Sequence, residues 1–127
     1  MPDIRLGSGS PYEDEIGYSR VVRSGDTAWT AGCTASVNGV VQHQRDAGAQ
    51  ARTAFGVALS ALERVEMSAA DVVHVRMYVR DAADCEAVGL AHHELFDAVR
   101  PAATMLVVAG FLDPAMLVEV ELVASRA

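Results

Sequence analysis

The sequence predicts an α+β domain in which two helices cover one face of a single sheet, and three features carry that prediction. Two long segments repeat apolar residues at three- and four-residue steps, which gathers them on one side of a helix. Several shorter segments are β-branched and alternate in polarity, as strands do. The order of the segments is hairpin, helix, strand, helix, strand, strand. A chain of 127 residues reads as one domain, 1–127, that buries roughly two-thirds of its extended surface on folding.

Each element has its own justification. Residues 7–15, GSGSPYEDE, mix Gly, Ser, Pro and clustered acids and read as a loop. Residues 18–23 and 27–32 read as strands joined through Ser24, Gly25 and Asp26, a hairpin-turn composition. Asn38 and Gly39 centre a second, shorter turn within residues 37–41. Over residues 46–66, Ala47, Ala51, Ala54, Phe55, Ala58, Leu62 and Val65 form the stripe of an amphipathic helix, with Asp46 as N-cap. Ser68 and Asp71 match a capping box, but VVHVRMYV follows at once, so the motif is read as a turn into a strand. A second helix starts from Asp81 as N-cap and places Val88, Ala91, Leu95, Phe96 and Val99 on one side until Pro101 forbids continuation. Residues 103–109 and 117–123 are the last two strands.

Strand alternation then assigns faces. Val73, Val75, Met77 and Val79 point one way, and His74, Arg76, Tyr78 and Arg80 the other. In the final strand Val118, Val120 and Leu122 oppose Leu117, Glu119, Glu121 and Val123. Two helices cover only the first face. The uncovered one carries the charges and, on this reading, Met105 and Val107 from the penultimate strand. Such a mixed surface predicts burial against further copies of the chain, hence a homo-oligomer.

Composition removes several classes of function. A net charge of −7 repels the phosphate backbone, which argues against nucleic acid as a partner. No apolar run approaches the roughly 18 residues of a membrane span, and the first residues lack a signal-peptide layout, so a cytoplasmic protein is expected. Cys33 and Cys85 are isolated thiols outside any metal-ligand spacing, and neither a metal nor a disulfide is expected.

The segment Glu15-Ile-Gly-Tyr18, the pair Ala31-Gly32, DVVHVRMYVRD, and Arg100-Pro-Ala102 followed by Val118-Glu-Val120 resemble the reactive intermediate deaminase (RidA/YjgF) family over nearly the whole chain. The resemblance implies a chorismate-mutase-like fold and a homotrimer whose sheets form a central barrel, with small-molecule pockets between subunits. It also implies hydrolysis of reactive enamines and imines such as 2-aminoacrylate without cofactor. On that resemblance the pocket tyrosine falls on Tyr18, the backbone donor on Gly32 and the water-handling glutamate on Glu119. The carboxylate-binding arginine falls on Ala103, the frequent cysteine on Met105, the serine on Ala31 and the second-helix asparagine on Gly89. An arginine–carboxylate contact in a partly dry pocket contributes roughly 2 to 5 kcal/mol. Its loss costs on the order of a hundredfold in affinity. The expectation is therefore a hydrolase for a bulkier or less anionic intermediate than 2-aminoacrylate or, alternatively, a non-catalytic trimer binding a metabolite or protein.

Each candidate also has a plainer reading. Glu119, Glu121 and Arg76 could form a structural ion-pair cluster. Tyr18 and Trp29 could simply pack an interface. His92, His93, Glu94 and Asp97 read as a solvated helix face rather than a metal site, and Cys33 as an inert thiol.

Overall fold

The computed structural model describes residues 2–126; Met1 and Ala127, the outermost residues of the predicted domain, lie outside the described residues. The chain runs β1 (Ile4–Leu6), α1 (Pro11–Ile16), β2 (Val21–Ser24), β3 (Thr27–Thr30), β4 (Ser36–Val37), β5 (Val40–Val41), α2 (Ala47–Glu63), β6 (Val72–Val79), α3 (Cys85–Phe96), β7 (Ala102–Val107) and β8 (Val118–Ser125). Six strands form one mixed sheet in the order β1-β2-β3-β8-β6-β7, antiparallel except for the parallel pair β6–β7. α2 and α3 lie against one face, which is the predicted α+β layering.

Local chemistry explains the elements. Asp46 accepts from the Ala49 amide at 3.0 Å and starts α2, whose Ala51, Ala54, Phe55, Ala58 and Leu62 are wholly buried. Phe55 packs edge-on against Phe96 of α3, with 5.5 Å between ring centres. Each large buried side chain of this kind contributes roughly 1.5–3 kcal/mol. Ser68 and Asp71 complete a reciprocal capping box around one 3₁₀ turn, which then delivers the chain into β6. Asp81 likewise caps a 3₁₀ turn that continues into α3. Asn38 (φ 52°) and Gly39 (φ 79°) both take positive φ, as the tight β4–β5 hairpin requires. One buried amide ties the layers together. Gln50 of α2 donates to the Ala115 carbonyl at 2.9 Å and accepts from the Leu117 amide at 2.9 Å, fixing where β8 begins.

The structure departs from the sequence expectations in four elements and in one assignment of faces. The predicted loop at 7–15 contains α1, because Pro11 occupies its first turn, Glu13 and Asp14 sit at the positive end of the helix dipole, and Gly17 closes it at φ 89°. β1, not anticipated at all, pairs with β2. Val73 is 47% exposed because the β6–β8 register shifts between Val72 and His74, so Val72 is buried in its place. Leu95 faces outward, while His92 lies beside Phe55 and Phe96 with its Nε2 buried and unpartnered among the described residues.

The faces also need one correction. β7 pairs in parallel with β6 so that Met105 lies beside Met77 and Val107 beside Val79, both partners being buried under the helices. Met105 and Val107 therefore belong to the helix-covered side. Thr104 and Leu106, paired with Arg76 and Tyr78, take the positions on the bare face. That face remains mixed: Trp29 and Leu106 are largely exposed among Arg76, Tyr78, Glu119 and Glu121.

Candidate active site

A defect in strand pairing creates the site. Trp29 pairs with Val123, and the next bridge joins Cys33 to Val120. Four residue steps on one strand thus face three on the other, 33 − 29 against 123 − 120. The extra residue is a bulge, the usual way of re-aiming side chains beside a strand. Thr30 bridges part of the gap, its hydroxyl oxygen accepting from the Leu122 amide at 3.0 Å. Gly32 sits in the bulge, and the Glu119 carboxyl folds over it. A Cβ at Gly32 would lie 2.6 Å from the Glu119 carboxyl carbon, so a larger residue there would push that carboxyl out of its place over the bulge.

The two carboxylates of β8 have different answers to their charge. Glu121 accepts a hydrogen bond from the Tyr78 hydroxyl and lies 3.8 Å from Arg76. That bond, with burial, pushes the Tyr78 hydroxyl up to about 12. Glu119 forms no ion pair among the described residues. Burial pushes its carboxyl above the usual carboxylate range, the Glu121 charge acts the same way, and Arg20 opposes both. The sequence-level cluster of Glu119, Glu121 and Arg76 is thus split, with only the last two paired.

Arg20 is the residue that sequence reasoning missed. It is 8% exposed and lies in the same crevice as Glu119. Its Nε donates to Glu13 at 3.3 Å, its Nη1 to the Gly32 carbonyl at 2.6 Å, and its Nη2 to the Tyr18 hydroxyl oxygen at 3.3 Å. Glu13 is itself the buried residue of α1. Although burial works to raise its pKa, bonds from the Ser8 hydroxyl and amide and the Arg20 charge hold it below its ordinary value. The only sequence signal was an arginine two positions after Tyr18 and seven after Glu13, a spacing that no regular strand or loop pattern marks.

Two cavities, of about 580 and 600 Å³, meet at Tyr18, Gly32 and Glu119. The first opens on the bare sheet face and is walled by Ile16, Val22 and Trp29, which gives Trp29 a place beside the site. The second runs beneath α1 and the β4–β5 hairpin, past Arg20, Cys33, Asn38, Leu112 and Met116. Burial pushes the Cys33 thiol up, which keeps it protonated and weakly nucleophilic.

The remaining sequence candidates lie elsewhere. A Cβ at Gly89 of α3 would stand 3.8 Å from the Met105 terminal methyl on β7, and Ala103 is exposed on the same strand. β6 separates β7 from β8, so a single protomer does not bring Ala103, Met105 and Gly89 to Glu119. His93 and Asp97 stand 3.7 Å apart on the exposed side of α3, and no group of three or more potential metal ligands occurs among the described residues.

The fold is thus an α+β protein with two helices on a mixed sheet, in which an acid outside any ion pair among the described residues folds over a bulge glycine at the edge of a crevice. A family model described as Endoribonuclease L-PSP matches residues 11–126, and the chain belongs to that family, the YjgF/RidA family. The chain is 41% identical over 122 residues to the uncharacterized protein SCO2049 of Streptomyces coelicolor, covering 96% of this chain and 91% of that one. The crystal structure of Rv2704 from Mycobacterium tuberculosis, a member of the YjgF/YER057c/UK114 family, superposes with a TM-score of 0.89 at 35% identity, over 98% of this chain and 100% of that one. TdcF of Escherichia coli, solved with bound serine, shares the fold with a TM-score of 0.80 at 19% identity, over 97% and 94% of the two chains.

Proposed function

We propose that the protein is a cofactor-free hydrolase of a small enamine or imine other than 2-aminoacrylate, working in clefts between the subunits of a cytoplasmic homotrimer. The observation that carries this reading is the Glu119 carboxyl: half-buried, free of any ion pair among the described residues, and shifted upward toward the range where a carboxyl both takes and gives a proton. Glu119 accepts a proton from a water whose oxygen adds to the carbon of the protonated imine, forming a neutral carbinolamine. The same proton then passes to nitrogen, the C–N bond breaks as Glu119 takes the hydroxyl proton, and a carbonyl compound and ammonia leave. For an enamine, the protonated carboxyl first delivers its proton to the nucleophilic carbon.

The trimer belongs to the same reading. Tyr18, Gly32 and Glu119 gather at one part of the sheet, whereas Ala103, Met105 and Gly89 gather at the far edge around β7. A cleft lined by both sets needs two copies, and the apolar groups on the bare face favour such packing. The choice against 2-aminoacrylate rests on Ala103, since the fork of Arg20 is already engaged by Glu13 and Gly32 and offers no free bidentate face to a carboxylate. Cleavage of RNA is a poorer fit to a chain of net charge −7 whose crevice cation is paired.

Ammonia release from imines generated in situ by amino-acid oxidases of differing specificity tests the proposal. Turnover should exceed that of Glu119→Ala by about a hundredfold or more. Equal rates for the two proteins would discard the hydrolase. An apolar lining from Ala103 and Met105 of a neighbouring copy would suit the second reading, a metabolite-binding trimer without chemistry. It predicts a ligand bound unchanged, with Glu119→Ala weakening affinity alone.

A further inference from the structure

We infer that Arg20 is the positioning residue of this crevice: it commits the Tyr18 hydroxyl to donate and thereby builds a donor corner that receives an acceptor oxygen of the ligand. The inference rests on the crevice proposed above being the ligand site, though not on the chemistry assigned to it.

Counting donors and acceptors leads there. A guanidinium carries five N–H groups in a fixed plane. Nε faces the Glu13 carboxylate at 3.3 Å and the Ser8 hydroxyl at 3.4 Å. Nη1 faces the Gly32 carbonyl at 2.6 Å and the Cys33 sulfur at 3.7 Å. Nη2 uses one N–H on the Tyr18 oxygen at 3.3 Å, which leaves one for another partner. The Tyr18 oxygen accepts from a cation that cannot accept in return, so its own proton is available to a third group. The guanidinium carbon also stands 5.5 Å from the centre of the Tyr18 ring, which holds the ring in place. Gly32 adds a backbone N–H that makes no hydrogen bond among the described residues.

The corner therefore presents donors only, facing a cavity whose shared wall is Glu119. Its charge is small, because Glu13 offsets Arg20 at 3.3 Å. A group with acceptor lone pairs fits such a corner: the oxygen of a carbonyl or of a carboxylate. Bound there, the ligand turns its electrophilic carbon toward Glu119 and the water that Glu119 handles.

The test is a double-mutant cycle on the full-length protein, read by calorimetric binding of two probes, 2-oxobutyrate and 2-oxobutyramide. Tyr18→Phe and Arg20→Lys should each weaken binding about tenfold. Arg20→Lys should then add little in the Tyr18→Phe background, since Arg20 acts through that hydroxyl. Should Arg20→Lys cost the full factor in both backgrounds, or should the parent protein bind neither probe, the inference is overturned. Comparable affinities for the two probes assign the corner to a carbonyl oxygen, and a preference for 2-oxobutyrate assigns it to a carboxylate.

A ligand-free readout keeps the question open to test if Arg20→Lys unfolds. Titration of the Glu119 carboxyl by carbon NMR should move upward in the neutral pair Glu13→Gln/Arg20→Gln. Glu119 faces Glu121 on its own strand, Tyr78 on β6, and Tyr18, Arg20 and Cys33 across the crevice, and only the Arg20 charge among them holds it down. An unmoved titration would show Arg20 to be purely structural. Failure of imine turnover in the parent protein discards the hydrolase and leaves both of these measurements intact.

Discussion

Gly32 and Gly89 were singled out by the same resemblance, yet they occupy opposite physical situations. At Gly32 an added methyl would strike the Glu119 carboxyl at 2.6 Å, whereas at Gly89 it would meet only the flexible tip of Met105 at 3.8 Å, an ordinary contact. One end of the sheet is packed around a functional group, and the other is loosely apolar. Glycine is a requirement of the site in the first case. In the second it is a weak position in the interior of a helix.

The largest effect that would break this contrast lies beneath the tight end. Glu13→Ala leaves the buried Arg20 without its carboxylate and should cost about 3 to 5 kcal/mol in denaturant melts. A loss under about 1 kcal/mol, the range of an exposed pair, would mean that the crevice is not held by this ion pair. Next, Gly32→Ala should displace the Glu119 carboxyl and abolish turnover while costing under about 1 kcal/mol of stability, because the group it strikes is the free end of a flexible side chain. Gly89→Ala should instead raise stability by up to about 1 kcal/mol, as alanine replaces glycine within a helix. If the gain is absent while α3 stays intact, a neighbouring subunit presses on Gly89, which would sharpen the case for a shared cleft.

The smallest effect is one of pH. A carboxyl whose folded-state pKa is raised contributes stability in full below its unfolded value and loses it as pH climbs through the folded value. Glu119 is such a group, so Glu119→Gln should melt above the parent protein at neutral pH and coincide with it near about pH 3.5. The opposite order at neutral pH would mean that the carboxylate is stabilised by a partner rather than penalised by burial.

Much of this was readable in the chain. The stripe from Ala47 to Leu62, the Asp46 and Asp81 caps and the Asn38-Gly39 turn all follow from spacing and local hydrogen bonding, and the structure has each of them. Glu119 was legible because a carboxylate interrupts an otherwise apolar strand. Arg20 was not, because its position depends on Glu13, which a helix hidden in turn-like composition carries over it, and on Ser8 in the segment before that helix. The misplacement of Met105 and Val107 has a similar origin. When both faces of a strand are apolar, alternation cannot say which one meets the helices, and the parallel register with β6 decides.

The single surplus residue between Trp29 and Cys33 carries a final implication. A notch made by a counting mismatch owes its existence to chain length first, and only its occupancy by Glu119 to the glycine at position 32. Deleting Ala31 would let the two strands zip together, draw the Gly32 amide into the ladder and evict Glu119, erasing the crevice while Tyr18, Arg20, Thr30, Gly32 and Glu119 are all kept. Loss of the slot with rapid amide exchange at Gly32 suppressed would be the signature of that closure.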